Sequence, residues 1–236
     1  MEPKYGRIFG FEHFKNWHCE FPIDALKMGS PIKDIQISEP RIEQLVKRID
    51  LKGMRILELG CLEGLHSFIY QNLGAQEVIA IEGRIENFLK CLIVKNAFGL
   101  DKCKFLFGDL NKILSSLSRP FDLCSAIGIL YHLYDPVSVI HRISELANSL
   151  FVWTHYATKD YPKGVSSEIR YQKYSYRGKY VGENARHYLS GLHDKSFWLF
   201  EEDLFRTVRD AGFKNIDLIQ KEDHEHGPAI NFLAKK

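Results

Sequence analysis

The sequence predicts an α/β fold: a doubly wound sheet of seven strands, mostly parallel, closed by a C-terminal antiparallel hairpin. Three observations carry this. From Met54 to Thr154 short apolar runs alternate with segments of helical spacing, the pattern of a parallel sheet covered on both faces. The chain then finishes with two apolar runs joined by a polar turn and no helix; strands joined so pair antiparallel. The 236 residues, 45% hydrophobic, supply one sizeable core.

The expected strands are Ile56–Leu59, Glu77–Ile81, Cys103–Phe107, Phe121–Ile127, Leu150–Thr154, Phe213–Ile219 and Ala229–Ala234. The expected helices are Leu65–Leu73, Ile85–Phe98 closed by Gly99, Pro136–Asn148 and Phe200–Ala211 closed by Gly212. A lead-in helix has Ser38 as its expected N-cap, with Glu39 and Pro40 following. This divides the chain into a cap and lead-in helix over 1–50, a core over 51–155 and 197–236, and an inserted lid over 156–196, one structural domain in all. The cap is aromatic-rich, with Tyr5, Phe9, Phe11, Phe14, Trp17 and Phe21. A connection as long as the lid carries function or local structure of its own.

Composition narrows the function. The net charge of +2 gives no global basic field for nucleic acid or a membrane surface. The five cysteines (19, 61, 91, 103 and 124) include no C-x-x-C pair, so reduced thiols in a cytoplasmic protein are expected. Met1-Glu2-Pro3-Lys4 begins no signal peptide, and no apolar run reaches a bilayer-spanning length. His224-Glu225-His226 has metal-ligand chemistry but falls in the hairpin turn with no third ligand evident, so no metal is expected.

The most informative stretch is Met54–Gly64. Ile56-Leu57-Glu58-Leu59 ends in Gly60, Gly64 follows, and then helical spacing begins. A strand, a glycine turn and a helix N-terminus suit a nucleotide-like ligand, because such turns expose backbone N–H groups. Glu58, two residues before the glycine, suits a cationic ligand rather than a pyrophosphate. Glu82 ends the second strand, where a carboxylate accepts from both ribose hydroxyls. Asp109 follows the third strand, where it can accept from an adenine amine. S-adenosylmethionine offers the cation, the ribose and the adenine that these acids fit. The competing reading makes Glu82 and Asp109 ordinary solvated acids at strand ends.

These residues resemble the class I S-adenosylmethionine-dependent methyltransferases, whose fold is Rossmann-like. Phe121-Asp-Leu-Cys-Ser-Ala-Ile-Gly-Ile-Leu-Tyr-His-Leu-Tyr-Asp-Pro136, with Trp17-His18 and Trp198, is similar to the branch that holds the tRNA wobble-uridine-modifying enzymes (DUF1698-like, methyltransferase type 11/12). The resemblance covers roughly 15–155 and 197–235. It implies donor contacts from Glu58, Gly60, Cys61, Gly64, Glu82, Gly83, Asp109, Leu110, Ile127 and His132, and S-adenosyl-L-homocysteine as product. Leu62 stands where many members have a second glycine, which narrows the turn. The residues that mark carboxymethyl-donor enzymes are not found, so the ordinary methyl donor is expected. No Asn/Asp-Pro-Pro-Tyr/Phe motif and no Pro-Cys nucleophile follow the fourth strand, which argues against adenine or glutamine N-methylation and pyrimidine C5 chemistry.

Transfer to a hydroxyl benefits from a base, typically by ~10²–10⁴-fold. His155, just past the fifth strand, is the preferred candidate, with His193 and His187 in the lid behind it. The competing reading makes each of them a structural or merely exposed histidine, and has His132 simply pin its loop. The acceptor candidates are Trp17, His18, Tyr131, Tyr156, Arg170, Arg177, Arg186 and Trp198. The lid holds seven tyrosines and a charge of +4 over residues 156–195, which suits a sugar-like or anionic acceptor, a single-stranded RNA loop, or a solvated cover. The reading is O-methylation of a small metabolite, a sugar or natural-product hydroxyl, by a monomer or homodimer without a membrane. The alternatives are a tRNA-nucleoside methyltransferase, a catalytically silent methyltransferase-like binding protein and, third, a dehydrogenase.

Overall fold

The computed structural model describes residues 10–27, 35, 37–118 and 120–236. Tyr5 and Phe9, two of the aromatic residues of the expected cap, lie outside the described residues. Seven strands form one sheet in the order β3-β2-β1-β4-β5-β10-β9. They are β1 (Arg55–Leu59), β2 (Glu77–Glu82), β3 (Cys103–Phe107), β4 (Phe121–Ile127), β5 (Ala147–His155), β9 (Asn215–His224) and β10 (Gly227–Lys235). β1 to β3 are parallel, as are β4 and β5, while β10 runs antiparallel to both β5 and β9. The expected sheet with its closing hairpin is therefore present. The chain divides into two compact units, residues 1–110 and 111–236.

In the first unit a short helix α1 (Ile23–Lys27) precedes α2 (Pro40–Val46). The cap of α2 is Glu39, whose carboxylate accepts from the Arg41 N–H; Ser38 instead donates to Glu43 Oε1 at 2.8 Å. A carboxylate outcompetes a hydroxyl here because it also takes the Arg41 guanidinium at 2.7 Å. Helices α3 (Leu65–Asn72) and α4 (Ile85–Phe98) cover the sheet, and Gly99 closes α4 in the left-handed region. Phe68, Tyr70 and Phe98 are almost fully buried in this unit.

The second unit starts in α5 (Leu110–Ser116), a helix not expected from the sequence, in which only Leu114 is buried. Helix α6 (Pro136–Leu146) stops two residues short of its expected end, because β5 already pairs with β4 from Ala147 onward. Ladder hydrogen bonds override the helical spacing there. α7 (Glu201–Asp210) is followed by Gly212 at φ +108°. The inserted segment carries a second, three-stranded antiparallel sheet of β6 (Ser166–Tyr171), β7 (Tyr174–Gly182) and β8 (Lys195–Leu199). Its hairpin turns at Gln172, φ +52°, with no glycine to announce it.

Candidate active site

At the carboxyl ends of β1 and β2 two glutamates, Glu58 and Glu82, are buried and individually wired. Glu58, 2% exposed, accepts from Ser67 Oγ and lies 3.7 Å from His66 Nδ1. His66 Nε2 is 3.5 Å from Glu39 Oε2 on its other side. Burial raises the Glu58 carboxyl, against the opposing pull of His66 and Ser67. Its Oε1 is buried with no hydrogen-bond partner among the described residues, and a buried carboxylate oxygen without one is costly.

Glu82 takes one backbone N–H on each oxygen, Leu62 at 3.0 Å and Arg84 at 2.8 Å. Burial pushes its carboxyl up to about 7, partly offset by those amides. Each oxygen keeps a lone pair for a hydroxyl donor. Gly83 follows it, half-buried. Asp109 stands half-buried in the turn after β3, just before Leu110 begins α5, and Gly108 N–H ties this turn to Glu82 O at 3.0 Å.

The glycine turn differs from its expectation. Its N–H groups face inward: Gly60 and Cys61 donate to Ile81 O at 2.9 and 3.4 Å, Leu62 to Glu82, and Gly64 to Cys61 O at 2.8 Å. The turn crosses the end of β2, and those amides satisfy its last polar groups. What the turn offers a ligand is close backbone approach rather than four free donors. Leu62 sits at φ +53°, a conformation that favours glycine and costs roughly 1 kcal/mol here. Cys61 points into the core, 3.7 Å from Cys91 Sγ, and burial pushes both thiols up; its side chain is packing rather than a ligand contact.

Sequence reasoning missed Glu63 and Lys90. Both side chains are fully buried and pair at 3.0 Å. Glu63 also accepts the His18 and Cys19 N–H groups, and Lys90 donates to Asn16 O. This pair clamps residues 16–19 onto the glycine turn. Trp17 is held by it: its ring stacks on Phe11 at 4.6 Å, its indole N–H donates to Phe11 O, and Lys90 Nζ lies 5.4 Å from its centroid. The geometry makes Trp17 a packing residue, not an open acceptor contact, and His18 contributes its backbone while its ring is exposed.

In the second unit the carboxyl ends of β4 and β5 carry an aromatic cluster. Ile127 ends β4 and is buried; Gly128 then turns at φ +75° and donates to Trp153 O. A 3₁₀ turn at Leu130–His132 follows. The His155 ring is stacked on Trp198 at 5.1 Å and 9°, with Tyr131 at 4.6 Å, Trp153 at 5.2 Å and His224 at 5.1 Å. Trp198 Nε1 donates to Tyr131 O at 2.9 Å, and Trp153 Nε1 to Glu222 at 2.7 Å. His155 Nδ1 faces the carbonyls of Gly227 and Pro228 at 3.1 and 3.3 Å, and burial lowers its pKa. His132 Nδ1 meets Glu183 Oε1 at 2.8 Å.

The structure thus brings together Tyr131, His132, His155 and Trp198. The other candidates sit elsewhere. His193 is exposed with its ring 5.8 Å from Tyr134, and His187 lies in an exposed turn where its Nδ1 accepts from Leu189 N–H. Tyr156 donates its N–H to Pro228 O, and burial raises its phenol. Arg170 pairs with Glu168 at 3.0 Å and Arg177 with Asp203 at 3.2 Å, so both guanidiniums already hold carboxylates. Arg186 is exposed in the segment after β7. Among the described residues no three His, Cys, Asp or Glu side chains are grouped to hold a metal, and no helix is long and apolar enough to cross a membrane.

A model of the methyltransferase domain family matches residues 50–203. The chain belongs to that family. This methyltransferase has the fold of the S-adenosylmethionine-dependent class I enzymes. It is 29% identical over 101 residues to a tRNA U34 carboxymethyltransferase of Campylobacter hominis, covering 43% of this chain and 35% of that one. It is 28% identical over 131 residues to a ubiquinone biosynthesis O-methyltransferase of Xylella fastidiosa, covering 52% and 51%. The chain spans about a third to a half of the length of these curated relatives. Among solved structures, the N-terminal domain of EvdMO1 in the presence of SAH and D-fucose superposes with a TM-score of 0.69 at 19% identity, covering 94% of this chain and 99% of that one. The glycopeptide N-methyltransferase MtfA complexed with (S)-adenosyl-L-methionine gives 0.52 at 15% identity, covering 83% and 92%. At such identities these two speak for the fold alone. The donor set fits this methyltransferase: Glu58 has an unsatisfied buried oxygen for an ammonium, and Glu82 has lone pairs for a ribose.

Proposed function

We propose that this methyltransferase transfers the methyl group of S-adenosylmethionine to a hydroxyl of a small metabolite, a sugar or a natural product. When bound, S-adenosylmethionine supplies a methyl group already activated on a sulfonium, so the protein's task is positioning. Glu58 would hold the ammonium, Glu82 the ribose diol and Asp109 the adenine amine. The segment 156–196 would act as the acceptor lid on the core of 51–155 and 197–236, with 1–50 as cap.

The observation that carries the acceptor class is the aromatic cluster of half-buried Tyr131 over buried Trp153, His155 and Trp198. Aromatic faces receive apolar sugar and ring faces without net charge. The carboxylates on Arg170 and Arg177 also leave those two guanidiniums poorly suited to a phosphate track. A sugar is in keeping with the D-fucose present with SAH in the crystal structure of the EvdMO1 N-terminal domain. For the oxygen, the histidines after β4 and at the end of β5, His132 and His155, support the reading, since a hydroxyl acceptor benefits from a group that takes its proton.

The second reading, methylation of a tRNA nucleoside, is favoured by the Campylobacter hominis relative. One assay separates the two. The protein is given labelled S-adenosylmethionine with a panel of deoxyhexoses, phenols and bulk tRNA across a salt series. Methylation of a neutral hydroxyl, insensitive to salt, supports the proposal. Label in tRNA that falls steeply with salt overturns it.

A further inference from the structure

We infer that His132 is the base that takes the acceptor proton, and that Glu183, delivered by the segment after β7, is the positioning residue that orients its ring. This rests on the hydroxyl-transfer reading above. Glu183 Oε1 is 2.8 Å from His132 Nδ1, and Oε2 accepts the Gly191 N–H at 3.1 Å, so both carboxylate oxygens are fixed. Burial raises the Glu183 carboxyl, but the hydrogen bonds from His132 and Gly191 outweigh it and leave it below the usual range. An ionised carboxylate only accepts, so Nδ1 must carry the hydrogen and Nε2 the lone pair. No hydrogen bond holds Nε2 among the described residues, and the side chain is 19% exposed.

The backbone around the pair is equally constrained. His132 N–H donates to Ile129 O, and Phe197 N–H fixes the next carbonyl, Leu133 O, at 2.8 Å. A Cβ on Gly191 would stand 2.2 Å from His132 O, so only glycine lets this loop close so tightly on the turn. The contrast with His155 decides the assignment. His155 has backbone carbonyls at Nδ1 and two further histidines, His224 and His226, opposing its protonation. His132 has a carboxylate, which stabilises the imidazolium formed when the proton arrives. In the step, the acceptor oxygen bonds to the methyl carbon and the sulfonium–methyl bond breaks with its electron pair to sulfur. The hydroxyl proton passes to His132 Nε2.

Two readouts test this. The first needs no acceptor: nitrogen NMR of ring-labelled protein, with His132→Asn to assign the signal. The Nδ1–H tautomer is expected at His132; the Nε2–H tautomer overturns the pair. The second is turnover on a hydroxyl acceptor. His132→Asn should lower kcat by roughly 10²–10⁴-fold. Glu183→Gln, which keeps the shape and removes the charge, should lower kcat by about tenfold or more with acceptor KM little changed, and Glu183→Ala should lower it further. Wild-type kcat in His132→Asn or in both Glu183 variants overturns the assignment, as does a kcat loss confined to His155→Asn. A wild-type protein that methylates no hydroxyl overturns the reaction itself, and is seen before any variant is compared.

Discussion

The carboxyl ends of β1–β3 and those of β4 and β5 are built from different side chains. In the first unit Glu58, Glu63 and Glu82 are 2%, 0% and 6% exposed, each joined to backbone amides, a hydroxyl or a lysine. In the second unit Tyr131, Trp153, His155 and Trp198 meet ring to ring, and charge enters through the His132–Glu183 pair. A donor of constant structure calls for charges at constant places. An acceptor that varies between enzymes calls for shape, with one proton-accepting group. The first region should therefore respond to substitution in stability and donor affinity, the second in acceptor use.

The largest effect is expected at Glu63. Glu63→Ala removes the buried carboxylate beside Lys90, leaving that lysine Glu86 at 3.5 Å and the Asn16 carbonyl, and should cost about 3 kcal/mol of unfolding free energy in urea denaturation. Replacing both partners, Glu63→Gln with Lys90→Met, should recover part of it. A single-variant loss below about 1 kcal/mol would mean that this pair does not hold the cap.

Next is Glu82. In the proposed ribose role Glu82 would accept two charge-assisted hydrogen bonds, at roughly 1.5–3 kcal/mol each, so Glu82→Ala should weaken donor binding by about 10²-fold or more in calorimetry. Its titration gives a second test. Burial places it at about 7, and ribose hydroxyls donate to the ionised form. Donor affinity should therefore rise from about pH 6 to about pH 8. The ligand-free protein shows the opposite sign. A raised carboxyl holds its proton more tightly folded than unfolded, so this group's contribution to stability declines from about pH 4.5 to about pH 7. A donor affinity flat across that range would remove Glu82 from the ribose.

Trp198→Phe should act on the other region alone. It removes the hydrogen bond to Tyr131 O, worth about 1 kcal/mol, and should raise acceptor KM several-fold with donor affinity unchanged. Smallest of all is Arg170→Ala, since the guanidinium is 81% exposed and pairs with an exposed glutamate. Stability and acceptor KM should stay within about 0.5 kcal/mol of wild type; a larger loss of acceptor use would return Arg170 to the acceptor site.

The same contrast explains what was legible in the sequence. β3, β4 and α4 lie where apolar spacing puts them, and Glu58, Glu82 and Asp109 announce themselves as acids at strand ends. Spacing is a local signal, and those features are local. Glu63 looks like any polar loop residue until it is seen to accept amides 44 and 45 positions away. Glu183 meets His132 across 51 residues, and His224 meets His155 only because β9 pairs with β10 and β10 with β5. The β6-β7-β8 sheet is hidden in the sequence because its hairpin turns on Gln172 rather than glycine, and the partner of Arg177, Asp203, sits on α7, 26 positions away. The end of α6 is set by the same kind of distant contact: pairing with β4 converts Ala147 and Asn148 to strand.

The most direct test follows an isotope-labelled methyl group from S-adenosylmethionine into product and reads by NMR the atom that receives it. A labelled methyl ether on a neutral sugar or natural-product hydroxyl is the predicted result. Label on nitrogen, on carbon or in RNA, or no transfer from a donor that binds, would contradict it.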